Sequence, residues 1–327
     1  MAVELSYCVV NTNGRADLIT GLEAIRSTHP AGVEAELIVL DNASDDGSAA
    51  AVHEWSASAG GSELPLRVIA RERRAGKAEN DTLLLREARG RLCLLLNEDA
   101  ELKPGAAAAL IGALDSDPGA GAAGAQLLDA EERPLACAWR LPGIAASLAA
   151  ALLLHKRFVT QSGGTSTREV GWVQSSAMLV RADAAEAVGW LDPAFFVYSD
   201  ETDFEKRLSD AGWRIVYVPA ARAIHHEQLA NDRSSGERRL VEFHRNRDLY
   251  MRKHHGAFVA AICRVLNALP YLPRALASAF LPRRSARLML LHARRALRPY
   301  AGGPGIREAA ATYNARLASG AVIRSEE

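Results

Sequence analysis

Two apolar runs in the first hundred residues stop abruptly at amides and carboxylates, and a third ends in amides beside a glycine. Leu92-Cys93-Leu94-Leu95-Leu96 ends at Asn97-Glu98-Asp99, Val3 to Val10 ends at Asn11-Thr12-Asn13-Gly14, and Glu36 to Leu40 ends at Asp41-Asn42. Short apolar runs bounded by polar residues are strands buried on both faces, the kind that fill a parallel sheet. Open parallel sheets bind ligands at the carboxyl ends of their strands, so these clusters stand where chemistry is expected.

Helical patterns separate the strands, at Ala16 to Arg26 and Lys77 to Arg89, and Leu66 to Ala70 adds a further strand. Alternation at this spacing predicts an α/β fold with a mostly parallel central sheet. Pro104 is expected at the first position of the next helix, and Ala120 to Leu128 is only weakly strand-like. An apolar helix is expected over Ile144 to Leu154, a loop over Gln161 to Thr167, and a strand over Trp213 to Val218. Ser199-Asp200-Glu201-Thr202-Asp203 opens a helix whose Phe204, Leu208 and Ala211 share one face. The expected organisation is a catalytic unit over residues 1–230, divided near residue 100, and a helical region over 231–327.

The formal charge is zero but polarised. From Arg238 to Tyr300 there are 14 Lys or Arg against Glu242 and Asp248, a local +12. Arg-rich, Leu-rich helices with this balance suit an anionic membrane surface or a cap on the body, and an oligomer contact is a further use. Nucleic acid is not expected, because the basic segment lacks interleaved aromatics and any recognisable motif. Cys8, Cys93, Cys137 and Cys263 form no C-x-x-C pair, which suits buried thiols in a reducing compartment. The first residues lack a signal-peptide pattern, and the longest apolar stretch, Gly143 to Leu154, is too short to span a bilayer.

Carboxylates converging at one sheet edge repel one another, and a divalent cation relieves that cost. Oxygen-rich ligands with at most one imidazole favour Mg2+ or Mn2+ over zinc. A nucleotide-binding sheet of the oxidoreductase type would carry G-x-G-x-x-G after the first strand, and a P-loop G-x-x-x-x-G-K-[ST]; neither occurs.

Together, Val10-Asn11-Thr12-Asn13-Gly14, Leu40-Asp41-Asn42-Ala43-Ser44-Asp45-Asp46-Gly47-Ser48, Leu94-Leu95-Leu96-Asn97-Glu98-Asp99 and Tyr198-Ser199-Asp200-Glu201-Thr202-Asp203-Phe204 resemble a family 2 glycosyltransferase of the GT-A fold, nearest its rhamnosyltransferase-like branch. The resemblance covers roughly residues 3–256. It implies that Asn11, Asn13, Asp41 and Asn42 line the nucleotide pocket. Asp99 stands at the last acid of the family's D-x-D element and would bind the metal, with His225 as a second contact and His226 as a weaker candidate. Asn97 replaces the first acid of that element, and Glu98 fills its variable middle. The general base would be Glu201 or Asp200, with Glu201 favoured by position. Lys77 and Asn80 would reach the donor, while Trp172, Ser176 and Asp203 would lie on the sugar or acceptor side.

The resemblance further implies an inverting, metal-dependent transfer of a sugar from a nucleotide-diphosphate donor, dTDP-rhamnose or a UDP-sugar, to a glycan or lipid-linked acceptor. The expected location is cytoplasmic, peripheral on the inner face of the plasma membrane. A glycan- or membrane-binding module that has lost turnover, or a sugar-phosphate nucleotidyltransferase, is the alternative.

Overall fold

The computed structural model describes residues 3–58, 64–226, 236–278 and 286–319. The elements run β1 (Leu5–Asn11), α1 (Arg15–Thr28), β2 (Ala35–Asp41), α2 (Ser48–Ser58), β3 (Leu66–Ala70), α3 (Lys77–Glu87), β4 (Leu92–Asn97), β5 (Ala100–Leu102), α4 (Ala106–Ser116), β6 (Ala120–Leu128), β7 (Ala138–Trp139), α5 (Ile144–Ala151), α6 (His155–Phe158), β8 (Arg168–Val170), β9 (Trp172–Val173) and β10 (Ala177–Arg181). They continue as α7 (Ala182–Ala187), α8 (Asp200–Asp210), β11 (Arg214–His225), α9 (Gly236–Ala268), α10 (Tyr271–Ser278), α11 (Ala286–Leu297) and α12 (Ile306–Ala318).

One sheet organises the body, in the order β3-β2-β1-β4-β10-β6-β11-β5, with β8 also on β11. Six strands, β1 to β4 with β6 and β11, run one way, and β10, β5 and β8 run against them. The mostly parallel sheet read from the strand and helix alternation is therefore present. Every residue of β1 and β2 is buried, as expected for strands covered on both faces. Strand order reverses at β1, which pairs with β2 on one side and β4 on the other. A crevice opens where such a sheet changes direction, and Val10 pairs with Asn97 at its rim.

The weakly strand-like Ala120 to Leu128 is instead a fully buried strand in the sheet. Its small residues reflect close packing: a Cβ at Gly124 would collide with Val173, and one at Gly121 would meet Trp213 at 2.9 Å. β11 runs beyond Val218 to His225, with its register slipping between Val218 and Arg222. That extension sets His225 opposite Ala100, the residue after Asp99. The helix expected to start at Pro104 starts at Ala106, because Gly105 takes a left-handed φ of 81°. The helix expected to reach Leu154 ends at Ala151 in a turn with Leu153 at φ 59°.

The C-terminal helices pack on the body. α9 lies against α5 and α11, and bends at Gly256, where φ is 83°. The helical segment Gly236–Ser278 holds an 18-residue window of mean hydropathy 1.3 that is 28% buried, long and apolar enough by length and composition to cross a membrane. The sequence expectation took Gly143 to Leu154 as the longest apolar stretch; this segment instead takes in α9 and α10, which are separated by a turn at residues 269–270. All four cysteines are free and buried.

Candidate active site

The loops after β1 and β2 hold each other through side chains. Asn11 Nδ2 donates to Asp41 Oδ1 at 2.9 Å, and the backbone N–H of Ser44 donates to Asp41 Oδ2 at 3.1 Å. Asn42 Nδ2 donates to Thr12 Oγ1 and to the Ala75 carbonyl, while its Oδ1 accepts from the Ala75 N–H at 2.8 Å. Asn13 exchanges hydrogen bonds with Asp45 and has a left-handed φ of 55°, a conformation in which asparagine costs less than most residues. These four residues gather at one strand edge, and their side chains brace three loops against one another.

At the end of β4 a second cluster forms. Asn97 Nδ2 lies 3.1 Å from Ser176 Oγ and 3.3 Å from His225 Nε2, and Ser176 Oγ is 3.2 Å from the same nitrogen. His225 Nε2 is 3.4 Å from Asp99 Oδ1, both side chains being buried, and His225 Nδ1 is buried without a hydrogen-bond partner. Ser176, expected on the acceptor side, belongs instead to this group beside Asn97 and His225. The cause is β10, which runs antiparallel to β4 and pairs Ala177 with Leu96.

The donor set suits a divalent cation. His225 Nε2 faces the Asp99 carboxylate oxygen at 3.4 Å, near the about 3 Å between adjacent ligands of an octahedral ion with 2.1 Å bonds. Among the described residues no cluster of three or more His, Cys, Asp or Glu forms a complete cage. Asp99 and His225 would thus hold an ion that takes its other ligands from elsewhere, as Mg2+ bound to a diphosphate does.

Glu98 stands out more than its sequence position suggests. Burial first, then the charge of Asp99, raises its carboxyl to about 7, and the Thr12 N–H and the Lys77 charge oppose the shift. Gly14 makes room for it: a Cβ there would come 2.6 Å from Glu98 Cγ.

α3 and α8 bring the third cluster together. Gly76 lets the chain pass so close to Phe196 that a Cβ would lie 2.6 Å from its carbonyl oxygen, and the Lys77 N–H donates to that oxygen at 2.6 Å. Tyr198 and Ser199 both take left-handed φ, 68° and 61°, before Asp200 starts α8. Two such residues in succession store strain at the turn that aims the acids. Asp200 and Glu201 then lie in the first turn, where the helix dipole favours negative charge.

Asp200 is fully buried, and neither of its oxygens accepts from an amine, amide or hydroxyl; the hydrogen bond open to it is a proton shared with Glu201. Burial, followed by the Asp200 charge, raises Glu201 well above the ordinary carboxyl range. Lys77 is bonded to Asp81 at 2.5 Å. Burial alone would lower its pKa, but Asp81 and then Asp200 hold the ammonium above the usual lysine range. The Lys77 charge thus acts on Glu98 on one side and on Asp200 and Glu201 on the other.

Four of the expected site residues have structural partners of their own. Asp203, expected on the acceptor side, is fully buried and accepts from Arg207 Nε at 2.9 Å, His254 Nε2 at 2.7 Å and Lys253 Nζ at 2.7 Å, tying α8 to α9. Asn80 is buried, and its Oδ1 accepts from Arg71 at 2.9 Å, so its side chain braces the β3–α3 loop. Trp172 has one face stacked on Trp139 at 4.4 Å, in the short β7–β9 ribbon. His226 bonds Glu101 at 2.5 Å, apart from Asp99's carboxylate.

Other contributors were not legible in the motifs. Glu205, one turn beyond Glu201, is fully buried, raised well above the carboxyl range by that burial, and accepts from the Val173 N–H at 2.8 Å. α12 returns from the far end of the chain to the nucleotide-side loops. Asn314 accepts from the Arg74 N–H at 2.7 Å and donates to the Arg74 carbonyl at 2.9 Å, Tyr313 Oη donates to the Ala43 carbonyl, and the Arg74 guanidinium lies 3.5 Å over the Tyr313 ring.

An open α/β sheet with an acid and an imidazole at its switch point, and a carboxylate pair opening a helix beside it, is the architecture of the GT-A fold. Residues 6–134 match the model of glycosyl transferase family 2, and the chain is similar to relatives named as rhamnosyltransferases. It is 28% identical over 173 residues to the N-acetylglucosaminyl-diphospho-decaprenol L-rhamnosyltransferase of Mycobacterium tuberculosis, covering 50% of this chain and 56% of that protein. It is 37% identical over 78 residues to the rhamnosyltransferase WbbL of Escherichia coli K12, covering 24% and 30% respectively. The chain thus spans about half, or less, of the length of these curated relatives. Among solved structures, the fold is shared with the mannosyltransferase PcManGT from Pyrobaculum calidifontis in complex with GDP-Man and Mn2+ (TM-score 0.57, 19% identity, 98% of this chain and 81% of that one). It is shared too with GalNAc-T7 with UDP, GalNAc and Mn2+ (TM-score 0.61, 15% identity, 88% and 56%).

Proposed function

We propose that this chain is an inverting glycosyltransferase that moves a sugar, with rhamnose from dTDP-rhamnose the first candidate and a UDP-sugar the second, onto a glycan or polyprenyl-linked acceptor in cell-surface polysaccharide synthesis. The observation that carries the reading is the Asp200–Glu201 pair that two successive left-handed residues set at the start of α8, with the Lys77 charge acting on it and on Glu98. The relatives named as rhamnosyltransferases, one of them for a decaprenol-linked acceptor, support the substrate class.

The residues act as follows. The loops braced by Asn11, Asn13, Asp41 and Asn42 receive the nucleotide. Asp99 and His225 would hold Mg2+ or Mn2+, which would supply positive charge to offset that on the leaving diphosphate. Glu201 takes the proton of the acceptor hydroxyl as its oxygen attacks the anomeric carbon from the side opposite the nucleotide, and the configuration inverts. Its raised proton affinity strengthens it as a base, and the adjoining Asp200 sustains that affinity. Lys77 limits the charge that accumulates on the pair.

In this reading residues 1–230 form the catalytic unit and 231–327 a helical region that holds the enzyme on the inner face of the plasma membrane. The test is nucleotide release from dTDP-rhamnose and a panel of UDP-sugars with Mn2+, Mg2+ or chelator. Wild type is expected to release nucleotide only with metal, and Asp99→Ala to release little. Equal release by both proteins would defeat the mechanism.

A further inference from the structure

Residues 141–158 leave the sheet directly after Trp139 and make a second, sequence-distant apolar surface. α5 exposes Ile144 and Leu148 one turn apart, the turn that follows exposes Leu152 (60%), Leu153 and Leu154, and α6 exposes Phe158 (52%). Leu153 has a left-handed φ of 59°. Glycine or asparagine fits that conformation at least cost, and polar residues suit a turn in water, so three leucines here serve something other than the turn.

This surface adjoins exposed apolar residues of the C-terminal helices. α5 packs on α9, His255 Nε2 donates to the Pro142 carbonyl at 2.9 Å, and α6 lies close enough to α10 for Arg274 to act on His155. Beyond the bend at Gly256, α9 exposes Phe258 (79%), and α10 exposes Leu272 and Leu276 (71%). The charge along these segments has one sign in the sequence, with Arg252 and Arg264 paired to Asp248, and Lys253 to Asp192 and Asp203. Between Asp248 and Glu308 the sequence has eleven Lys or Arg and no acid, and residues 140–158 contribute Arg140, Lys156 and Arg157, again with no acid. A second copy of the same face would set cation against cation, whereas a surface of phosphate head groups over acyl chains complements both properties.

We propose that residues 141–158 and the α9–α10 segment form one composite face that seats on an anionic bilayer, with Leu152, Leu153, Leu154 and Phe158 entering the acyl boundary. The inference deepens the proposed function and rests on it for its purpose: α5 follows Trp139, so the seated face brings the Trp139–Trp172 ribbon to the bilayer surface, where a polyprenyl-linked acceptor presents its sugar.

The test is co-sedimentation of the full chain with vesicles of phosphatidylcholine alone and of phosphatidylcholine mixed with phosphatidylglycerol. Wild type is expected to prefer the mixed vesicles. The variant L152S/L153G/F158S is expected to lose at least about tenfold in partitioning to them, the scale of losing partial burial of three large apolar side chains. A second variant, K156E/R157E, is expected to lose the preference for phosphatidylglycerol. Protection of both variants against thermal unfolding by dTDP and Mn2+ should match wild type, which reports an intact fold. Partitioning of the triple variant within about twofold of wild type would overturn the proposal, as would equal wild-type binding to both vesicles. A concentration-dependent rise in wild-type mass without vesicle binding, abolished in the triple variant, would assign the face to a second copy and overturn it as well. Nucleotide release is measured without vesicles, so failure of the glycosyltransferase reading would show separately.

Discussion

Replacing Asp203 separates a structural role from a catalytic one. The carboxylate is fully buried and accepts from Arg207, His254 and Lys253, yet two of the three donors have other partners. Arg207 also donates to the carbonyls of Val188 at 2.6 Å and Trp190 at 2.7 Å, and Lys253 is bonded to Asp192 at 2.7 Å. Asp203→Ala therefore strands chiefly the His254 N–H and the Arg207 Nε–H. Breaking one side of a buried ion pair costs about 3–5 kcal/mol, and the surviving partners put this case near the lower end, about 3 kcal/mol. Asp203→Asn keeps an acceptor and should cost about half of that. Against a typical stability of about 5–15 kcal/mol this is a large fraction, equivalent to a fall in Tm of roughly 6–12 °C for a cooperative unit of about 200 residues. Urea unfolding at pH 7 followed by circular dichroism measures it, with nucleotide release assayed at a temperature where the variant is folded. A stability loss below about 1 kcal/mol together with a hundredfold loss of turnover would refute the packing role and return Asp203 to the acceptor side.

Glu201→Gln should lower kcat by about 10²–10⁴-fold, the usual contribution of a positioned base. Asp200→Asn should shift the acid limb of the kcat profile to lower pH, because it removes a charge that raises Glu201; an unmoved limb would exclude Glu201 as the titrating group. Asn314→Ala, losing two hydrogen bonds to Arg74, should raise the donor KM up to about tenfold with kcat retained; an unchanged KM would make α12 a bystander to nucleotide binding. Burial, with the charges of Arg247 and His292, depresses His244 to about 3. The folded state then binds fewer protons than the unfolded chain below pH 6.5, so stability is lost as pH falls from about 6.5 towards 3, by at most about 1.4 kcal/mol per unit for this group. His244→Phe should flatten that slope between pH 7 and pH 5 in urea titrations, and an unchanged slope would assign it to other groups.

The boundary between sequence and tertiary structure falls at particular residues. Buried strands announce themselves through local apolar runs, and turns through Asn, Asp and Gly, because both depend on neighbours a few positions away. The sheet, the acids at its carboxyl edge, and the acidic start of α8 were accordingly open to inspection from the amino-acid order. Asp99, Asn97 and His225 were each recognisable, and their meeting depended on where β11 ends. Its register slip after Val218 is what delivers His225 to Asp99. Ser176 joined them because β10 enters the sheet antiparallel beside β4, a pairing that no local pattern announces. Asp203 had the sequence signature of its neighbours, and only the packing of α9 against α8 turned it into a buried anchor. Asn314 and Arg74 are 240 positions apart, and their contact exists because α12 docks on the body. Local chemistry wrote the strand ends; long-range packing, where burial and partner geometry outweigh a residue's own preference, decided which of their side chains gather at the sheet edge and which hold the fold.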